Sequence, residues 1–409
     1  MDRKRIVIVG AGFGGIYTYQ SLPRWVKASC DVTIIDRRNH FLFTPLLPEV
    51  AGASLDQHSI VEPIRDIVDA SVTFIRSTVV SVNTDNHTIE LPDRTVSYDI
   101  LVLALGSTTH FFGTPGAESY AYVLKDLDDA VVLKNRFIDV FDEAARTDDP
   151  DRRRELLRFI IVGGGPTGVE LAGEAADLFF HTFADQFTKI NMDEVSLTIV
   201  NSGEILSMFD DRSRSYASAK LTKAKVNLLT GIRVSSVTEH GVVLDDGTLI
   251  PAETIIWTAG VSANALTCSC GSFDIDRGRI KVTDTLEAIG TQDVFAIGDM
   301  SLFPTADGRG LPMTAQVAKQ QGQKVGKNIG KLLKGESLEP FRYREKGLLA
   351  SLGSFDAIAE LRGLRLRGFV AWFLWRTIYL FNFASWKKRF KIMADWTVNL
   401  FSRRDTTRL

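Results

Sequence analysis

Two glycine-rich turns, 153 residues apart, constrain this chain more than any other feature of its sequence. The first is Gly10-Ala11-Gly12-Phe13-Gly14-Gly15 and the second is Gly163-Gly164-Gly165-Pro166-Thr167-Gly168; each follows an apolar run. Both have the G-x-G-x-x-G spacing of a strand-to-helix turn, where backbone N–H groups and the helix dipole bind a pyrophosphate. One such turn is weak evidence, but two predict that one chain holds two dinucleotides and passes a hydride between them.

The similarity between the two halves extends well beyond these turns. A second strand is predicted to end at Asp36 in the first half and at Asn201 in the second. Each half then has a meander of short strands, with an Asp246-Gly247 hairpin signal in the second, and closes with an apolar strand. The closing glycines, Gly106 and Gly260, are 154 residues apart, almost the spacing of the turns. This shared offset predicts a duplicated α/β domain.

A late apolar strand, residues 293–297, is followed by Gly298-Asp299. Alone it could be an ordinary strand and turn, but after two fingerprint domains it predicts a carboxylate beside a flavin polyol or ribose. We therefore predict an α/β protein with two Rossmann-like dinucleotide-binding domains and an amphipathic helical C-terminal segment for membrane association. The predicted ranges are 1–125 and 276–335 for a discontinuous FAD domain, 126–275 for an inserted NAD(P)H domain, and 336–409 for the C-terminal region.

Composition fits an enzyme of this size. The chain has 409 residues, of which 45% are hydrophobic and 24% charged, so it can bury at least two cores. The N terminus enters the first fingerprint strand directly, and we expect no cleavable signal peptide. Three cysteines make no disulfide framework, which favours a reducing cytoplasmic setting. Six scattered histidines lack ligand spacing, so no metal site is predicted.

The C-terminal tail, residues 362–409, concentrates positive charge and aromatic side chains. It carries a net charge of +9 in a chain whose total is −2, and it holds four of the six tryptophans. Its apolar run, residues 368–383, is too short to cross a bilayer of about 30 Å. These properties predict an interfacial segment facing anionic lipid. A core helix and a dimer interface are the alternatives, whereas two dinucleotide turns make single-stranded nucleic acid a poor fit.

At this point the sequence resembles the type II NADH:quinone oxidoreductases. The resemblance rests on the paired fingerprints, Gly298-Asp299, the Ala315-Gln316-x-Ala318-x-Gln320 pattern and the basic aromatic tail, and it covers essentially the whole chain. It implies a flavoprotein that passes electrons from NADH through FAD to a membrane quinone without pumping protons. It also implies a homodimer bound peripherally at the cytoplasmic face of the cell membrane.

The resemblance assigns a role to each matching position. On the FAD side it places Gly10, Gly12, Phe13, Gly14, Asp36, Arg37, His40, Pro45, Val79, Ala104, Gly106, Gly298, Asp299 and Ala315. On the NADH side it places Gly163, Gly165, Thr167, Gly168, Asn201, Ala259 and Gly260. The catalytic assignments are Glu170, Gln316 and Gln320.

The catalytic assignments have simpler alternatives. Gln316 and Gln320 would share one helix face, where their neutral amides can bind a flavin carbonyl and a quinone oxygen. The simpler alternative is that they are two solvated residues on a surface helix. Glu170 would handle quinone protons, or it only satisfies N-terminal amides of its helix.

Asn201 departs from the family pattern, in which an acidic residue ends this strand. Asparagine can bond a ribose but does not repel a 2′-phosphate, so we expect NADH to be preferred, with measurable use of NADPH.

Two other functions stay open at this stage. A sulfide:quinone oxidoreductase needs cysteines beside the flavin. The stretch from Asp36 to Arg65 contains no cysteine, so Cys268 and Cys270 are the only candidates for that role. A flavin-bearing redox sensor would be reduced by NADH without rapid reoxidation by quinone.

Overall fold

A computed structural model describes residues 3–264, 267–270, 273–383, 386–398 and 404–408. The side chains of Cys268 and Cys270 lie outside the described set. The chain forms two compact units. Unit 1 comprises Met1–Leu42, Val61–Thr108 and Val261–Glu345, and unit 2 comprises Phe43–Ile60, Thr109–Gly260 and Lys346–Leu409.

The described residues form the following regular elements. The strands are β1 Arg5–Val9, β2 Asp31–Asp36, β3 His40–Leu42, β4 Val61–Pro63, β5 Thr73–Arg76, β6 Ser81–Asn83, β7 Thr88–Glu90, β8 Thr95–Ser97, β9 Ile100–Leu103, β10 Ser107–Thr109, β11 Tyr122–Val123, β12 Arg158–Val162, β13 Ser196–Asn201, β14 Val226–Thr230, β15 Val234–Thr238, β16 Gly241–Leu244, β17 Leu249–Pro251, β18 Thr254–Trp257, β19 Val261–Ala263, β20 Thr267–Cys270, β21 Ile275–Asp276, β22 Arg279–Lys281, β23 Val294–Ala296, β24 Ser301–Leu302, β25 Leu348–Ser351, β26 Ala357–Leu361 and β27 Leu364–Arg367. The α-helices are α1 Phe13–Ser21, α2 Arg24–Ser29, α3 Leu47–Ala51, α4 Ile64–Ile67, α5 Ala117–Tyr120, α6 Leu127–Arg146, α7 Pro150–Leu156, α8 Pro166–Asp177, α9 Ala184–Gln186, α10 Asp211–Lys223, α11 Ala315–Leu332, α12 Phe369–Asn382 and α13 Trp386–Val398.

The main sheet of unit 1 is parallel, with strand order β23-β9-β1-β2-β5. Four of the five residues of β1 are fully buried, as expected for a central parallel strand. The late strand β23 joins this sheet beside β9, with Val294 opposite Leu101. The prediction that the first α/β domain is discontinuous is therefore confirmed.

Unit 2 contains a second parallel sheet with strand order β11-β18-β12-β13-β14. Behind it, a cluster of phenylalanines from α6, β12 and the π-helical turn after α8 fills the core. The predicted hairpin joins β16 to β17, and Gly247 in its turn has a φ of +85°, which glycine adopts without strain. The predicted second α/β domain is confirmed.

The two units divide the chain at positions other than the expected domain boundaries. Strand β11 pairs with β18, so the region after residue 108 belongs with the second sheet and not with the first. Residues 43–60 also belong to unit 2, because α3 packs against α6 and α8. The region from residue 346 onward is part of unit 2 as well, since β25 packs on α8.

The C-terminal region starts with an antiparallel sheet, β25-β26-β27, on which α12 packs. Trp372 and Trp375 of α12 are buried, whereas Phe373 between them is 63% exposed. Across the described ranges, the helices are all too short or too polar to span a membrane.

In unit 1, close packing of α1 against α11 depends on a glycine at every fourth position of α11. A Cβ on Gly322 would lie 2.3 Å from the carbonyl oxygen of Gly14, and one on Gly326 would lie 2.4 Å from that of Thr18. Both carbonyls belong to the backbone of α1 and cannot move aside, so a Cβ at either position would force the two helices apart. This packing fixes the fingerprint helix α1 relative to the Gln-bearing helix α11.

Gly326→Ala should therefore lower the free energy of unfolding of unit 1 by about 2 kcal/mol, although alanine is the better helix former by about 1 kcal/mol. Thermal melting of the purified protein measures the change. Lys327→Ala, at the next and exposed position of the same helix, is the matched control. A Gly326→Ala protein that melts with the wild type would contradict the packing argument.

Candidate functional site

The first fingerprint forms a tight turn in unit 1. Gly10 has a φ of +97°, and a Cβ there would lie 2.3 Å from the carbonyl oxygen of Ala104. A Cβ on Gly15 would lie 1.8 Å from the carbonyl oxygen of Gly10, so the third glycine lets α1 start against β1. Gly12 is the N-cap of α1; as a glycine it has no side chain to cap the helix, and a Cβ there would meet open space. A helix N terminus with such an open approach fits a pyrophosphate.

Asp36 holds this turn from the end of β2. Its Oδ2 accepts a hydrogen bond from the Ala11 N–H at 2.6 Å, and its Oδ1 accepts one from the Arg38 N–H at 2.8 Å. The carboxylate therefore shapes the loop as well as lying where an adenosine ribose is expected.

The other residues predicted on the flavin side are distributed over both units. Arg37 follows β2, His40 begins β3, Val79 lies between β5 and β6, and Ala104 and Gly106 follow β9, all in unit 1. Pro45 lies in a 3-10 turn, Thr44–Leu46, of unit 2. Asn264, which sequence reasoning missed, fixes the Gly106 turn by donating its backbone N–H to the Gly106 carbonyl at 3.1 Å.

Gly298 and Asp299 lie directly after β23, as predicted. Gly298 has a φ of +68°, and its N–H donates to Oε1 of Gln321 at 2.6 Å. Asp299 accepts a hydrogen bond from the hydroxyl of Ser107. Gln321 is fully buried and sets this turn, a role that sequence reasoning missed. The sequence signal that could have indicated its burial is its helical spacing from Ala318 and Val325, both of which are buried.

Gln316 and Gln320 lie on one face of α11, which begins at Ala315 as the sequence suggested. Oε1 of Gln316 accepts a hydrogen bond from the Tyr343 hydroxyl at 3.2 Å. The Gln320 amide binds the backbone of Arg344 through both ends, at 2.9 and 3.1 Å. Both side chains thus anchor residues 343–344 on α11, a contact that neither sequence interpretation included.

The second fingerprint repeats the geometry of the first in unit 2. Gly163 has a φ of +117°, and a Cβ there would lie 2.7 Å from Cα of Ala259. A Cβ on Gly168 would lie 2.0 Å from the carbonyl oxygen of Gly163. Gly165 is the N-cap of α8, a Cβ there would again meet open space, and Thr167 is exposed in the first turn of the helix. This turn also fits a pyrophosphate.

Asn201 occupies the position in unit 2 that Asp36 has in unit 1. Its Oδ1 accepts a hydrogen bond from the Gly164 N–H at 2.9 Å, the counterpart of the Ala11 contact. Its Nδ2 donates to the carbonyls of Gly203 and Glu204 at 2.9 and 3.1 Å. An aspartate could make the first bond but not the other two, which explains an amide at this position.

Glu170 is buried one turn into α8. Its Oε1 accepts a hydrogen bond from the Ser351 N–H of β25 at 3.1 Å, so it does not serve as a cap for its own helix. Burial, with nearby Glu49 and Glu174, raises the pKa of Glu170 to about 8. The carboxyl is therefore protonated at neutral pH.

Glu170 belongs to a buried ionic cluster within unit 2. Burial also raises the pKa of Glu49 to about 7; its Oε2 accepts a hydrogen bond from Trp396 Nε1 at 2.9 Å. The Arg404 guanidinium lies 3.0 Å from Glu174 and 3.3 Å from Asp177. Glu49 and Glu174 interact with both guanidiniums, Arg404 and Arg376, whereas the charged groups near Glu170 are Glu49 and Glu174.

Several cations of the C-terminal tail have specific partners in unit 2. Arg376 stacks between the rings of Trp372 and Trp396, at 4.0 and 4.7 Å from their centroids. Three further tail cations pair with carboxylates outside the tail; these pairs are Arg365–Asp210, Lys391–Asp56 and Arg408–Asp139. Part of the tail's positive charge therefore forms contacts within the folded protein, which the sequence did not predict.

Comparison with known proteins agrees with this geometry. The family model for pyridine nucleotide-disulphide oxidoreductases matches residues 4–322, and the model for the NDH2 C-terminal domain matches residues 346–405. An internal alternative NAD(P)H-ubiquinone oxidoreductase of Solanum tuberosum is 33% identical, covering 100% of this chain and 88% of the relative. A type II NADH:quinone oxidoreductase of Mycobacterium tuberculosis is 32% identical, over 98% of this chain and 89% of the relative.

Solved structures share the fold. NDH2 from Plasmodium falciparum, in complex with NADH, superposes with a TM-score of 0.92 at 22% identity, covering 99% of this chain and 100% of the other. Sulfide:quinone oxidoreductase from Aquifex aeolicus gives 0.72 at 17% identity, over 96% and 92% of the two chains. The predicted family is confirmed: the chain is a pyridine nucleotide-disulphide oxidoreductase and, within that family, it belongs to the type II NADH:quinone oxidoreductases.

Proposed function

We propose that this protein oxidises NADH through FAD and reduces a membrane quinone, without pumping protons, at the cytoplasmic face of the cell membrane. The observation that carries the proposal is the pair of complete glycine turns, one in each unit, each with a glycine at the N-cap of the following helix. Unit 1 would hold FAD through the turn at Gly10–Gly15, Asp36 and Gly298-Asp299, and unit 2 would hold NADH through the turn at Gly163–Gly168. Bound FAD supplies a two-electron carrier between nicotinamide and quinone.

The contacts of Asn201 support a preference for NADH. Its amide N–H groups already donate to two carbonyls, and its Oδ1 can accept a further hydrogen bond from a ribose hydroxyl. Asn201 offers neither a positive charge nor a free amide N–H that could attract a 2′-phosphate. Its neutral amide does not repel a 2′-phosphate either. We therefore propose NADH as the main donor, with NADPH used less efficiently.

The protonated carboxyl of Glu170 supports a role in supplying a proton to the quinone. Reduction of the quinone consumes two protons, and a buried acid whose pKa lies near 8 can hold one and release it near neutral pH. Gln316 and Gln320 are proposed to lie beside flavin and quinone, supported by their common face on α11. Their hydrogen bonds to residues 343–344 would hold the two amides in fixed orientations.

Anaerobic absorbance measurements test the activity. NADH should bleach the bound flavin rapidly, a short-chain quinone should restore the colour, and NADPH should bleach it at lower catalytic efficiency. A preference of tenfold or more for NADPH would contradict the interpretation of Asn201. Bleaching by sulfide alone would favour the sulfide:quinone alternative, and slow reoxidation by quinone would favour a redox sensor.

The pKa of Glu170 predicts a pH-dependent stability. The unfolded chain loses this proton near pH 4.5, whereas the folded protein keeps it to about pH 8. Between these values the free energy of unfolding should fall by about 1.4 kcal/mol per pH unit because of this group alone. Glu170→Gln keeps an acceptor for Ser351 but lacks the titration, so its stability relative to wild type should rise from pH 5.5 to 7.5. Denaturant unfolding measures this.

The exposed Glu239→Gln variant is the control for this measurement, because its carboxyl is 68% exposed. A stability difference between Glu170→Gln and wild type that stays constant with pH would show that Glu170 is ionised in the folded protein.

We also propose that the C-terminal region docks on the membrane surface chiefly through apolar side chains. Phe369, Phe373 and Phe381 recur at helical spacing on α12 and are 58%, 63% and 66% exposed. Since several tail cations already pair with carboxylates of unit 2, apolar insertion should outweigh attraction to anionic headgroups. We further propose a homodimer built by the C-terminal tail, which sedimentation velocity in detergent measures.

Vesicle co-sedimentation tests the docking proposal. The wild type should bind phosphatidylcholine vesicles and stay bound at high salt, and Phe373→Ser with Phe381→Ser should reduce binding about tenfold or more. Leu249→Ser, a 49% exposed residue on β17, is the matched control. Point variants are used because truncation would remove the buried Trp375 and Arg404. Complete release of the wild type by salt would contradict the apolar mechanism.

A further inference from the structure

The order of strands in unit 2 locates a ligand crevice. The chain runs from β12 outward to β13 and β14 on one side, whereas β18 lies on the other side of β12. The carboxyl ends of β12 and β18 therefore form the switch point at which such sheets bind their ligands. Gly163 follows β12 and Ala259 follows β18, and a Cβ on Gly163 would lie only 2.7 Å from Cα of Ala259.

The same order gives the direction of a dinucleotide across the sheet. Asn201 ends β13 on one side of the Gly163–Gly168 turn, and Gly260 follows β18 on the other side. A dinucleotide whose pyrophosphate lies at the turn and whose adenosine ribose lies at Asn201 must extend its nicotinamide half toward Gly260.

Phe112 lies at this end of the crevice in an unusual state. Its ring packs on Gly260, where a Cβ would lie 2.5 Å from ring atoms Cε2 and Cζ. The side chain is nevertheless 62% exposed. Its backbone is left-handed, with a φ of +52°, a conformation that is costly for a bulky residue. Exposure of the ring and strain of the backbone are both unfavourable, and a contact that covers the ring would offset the first.

Three contacts hold Phe112 in this place. The His110 N–H donates to the Gly260 carbonyl at 3.0 Å, and the His110 carbonyl accepts a hydrogen bond from Trp257 Nε1 at 3.0 Å. The His110 ring meets the Phe112 ring edge to face, with centroids 4.5 Å apart. The loop is thus fastened to the end of β18, and the outer face of the ring is left open to a ligand.

We propose that Phe112 packs against the nicotinamide half of bound NADH and positions it in the crevice of unit 2. A planar ring that is already fixed gives a flat nicotinamide a large apolar contact at little further entropic cost. The strained conformation is maintained by the anchored loop, and the contact with NADH covers the exposed ring. This inference rests on the proposed oxidation of NADH.

Stopped-flow reduction of the FAD-loaded protein under anaerobic conditions tests the inference. The apparent Kd for NADH is read from the concentration dependence of flavin bleaching. Phe112→Gly should raise it about tenfold, and Phe112→Tyr should keep it within about twofold. Because glycine accepts a left-handed backbone without strain, Phe112→Gly should melt at the wild-type temperature or above. Tyr120→Ala, at a 48% exposed aromatic of the same unit, is the control and should behave as wild type.

Competition by ADP-ribose, which lacks the nicotinamide, locates the contact. Its inhibition constant should be the same in wild type and Phe112→Gly. An unchanged or tighter Kd for NADH in Phe112→Gly, a matching loss for ADP-ribose, or a lower melting temperature would each overturn the inference. Absence of bleaching in the wild type would instead remove the proposed function, so the two failures are distinguishable.

Discussion

Contact of backbone with backbone at the two glycine turns is the constraint on which the rest of this structure depends. The third glycine of each fingerprint brings the start of a helix against the preceding turn, where a Cβ would lie 1.8 Å from one carbonyl oxygen in unit 1 and 2.0 Å from its counterpart in unit 2. Such an approach places the helix N terminus at the end of a central buried strand. Every proposed contact with a pyrophosphate, in either unit, follows from that placement.

A second constraint acts within unit 2, where the C-terminal region supplies charge to the core. Glu49, Glu170 and Glu174 would be costly to bury as anions. Arg376 and Arg404 provide two positive charges beside Glu49 and Glu174, and burial raises the pKa of all three carboxyl groups. The fold of the tail and the protonation of Glu170 are thus linked electrostatically. The proposed membrane docking and proton supply therefore meet in α12, in which Phe373 is exposed and Arg376 faces buried carboxyl groups.

Much of the fold could be predicted from sequence because its signals are local. The glycine spacing, the shared offset and the apolar strands each lie within a few consecutive residues, and they gave both parallel sheets and the late entry of β23. Contacts between distant residues were not predictable in this way. The bond from the Gly298 N–H to the buried Gln321 joins residues that are far apart in sequence, and the carbonyls that bind Asn201 depend on the path of the loop after β13. The partners of the tail's cations were equally unpredictable, because Asp56 lies 335 residues before Lys391 and Asp210 lies 155 residues before Arg365.

Asp36 and Asn201 show how a duplicated domain can diverge without losing its shape. Both side chains end a second strand, and both accept a hydrogen bond from the same backbone amide of their glycine turn. An oxygen atom is what the fold requires there, and either a carboxylate or an amide supplies it. The fold therefore does not constrain the charge at this position. One copy of the domain could change its nucleotide specificity while the other copy kept its own.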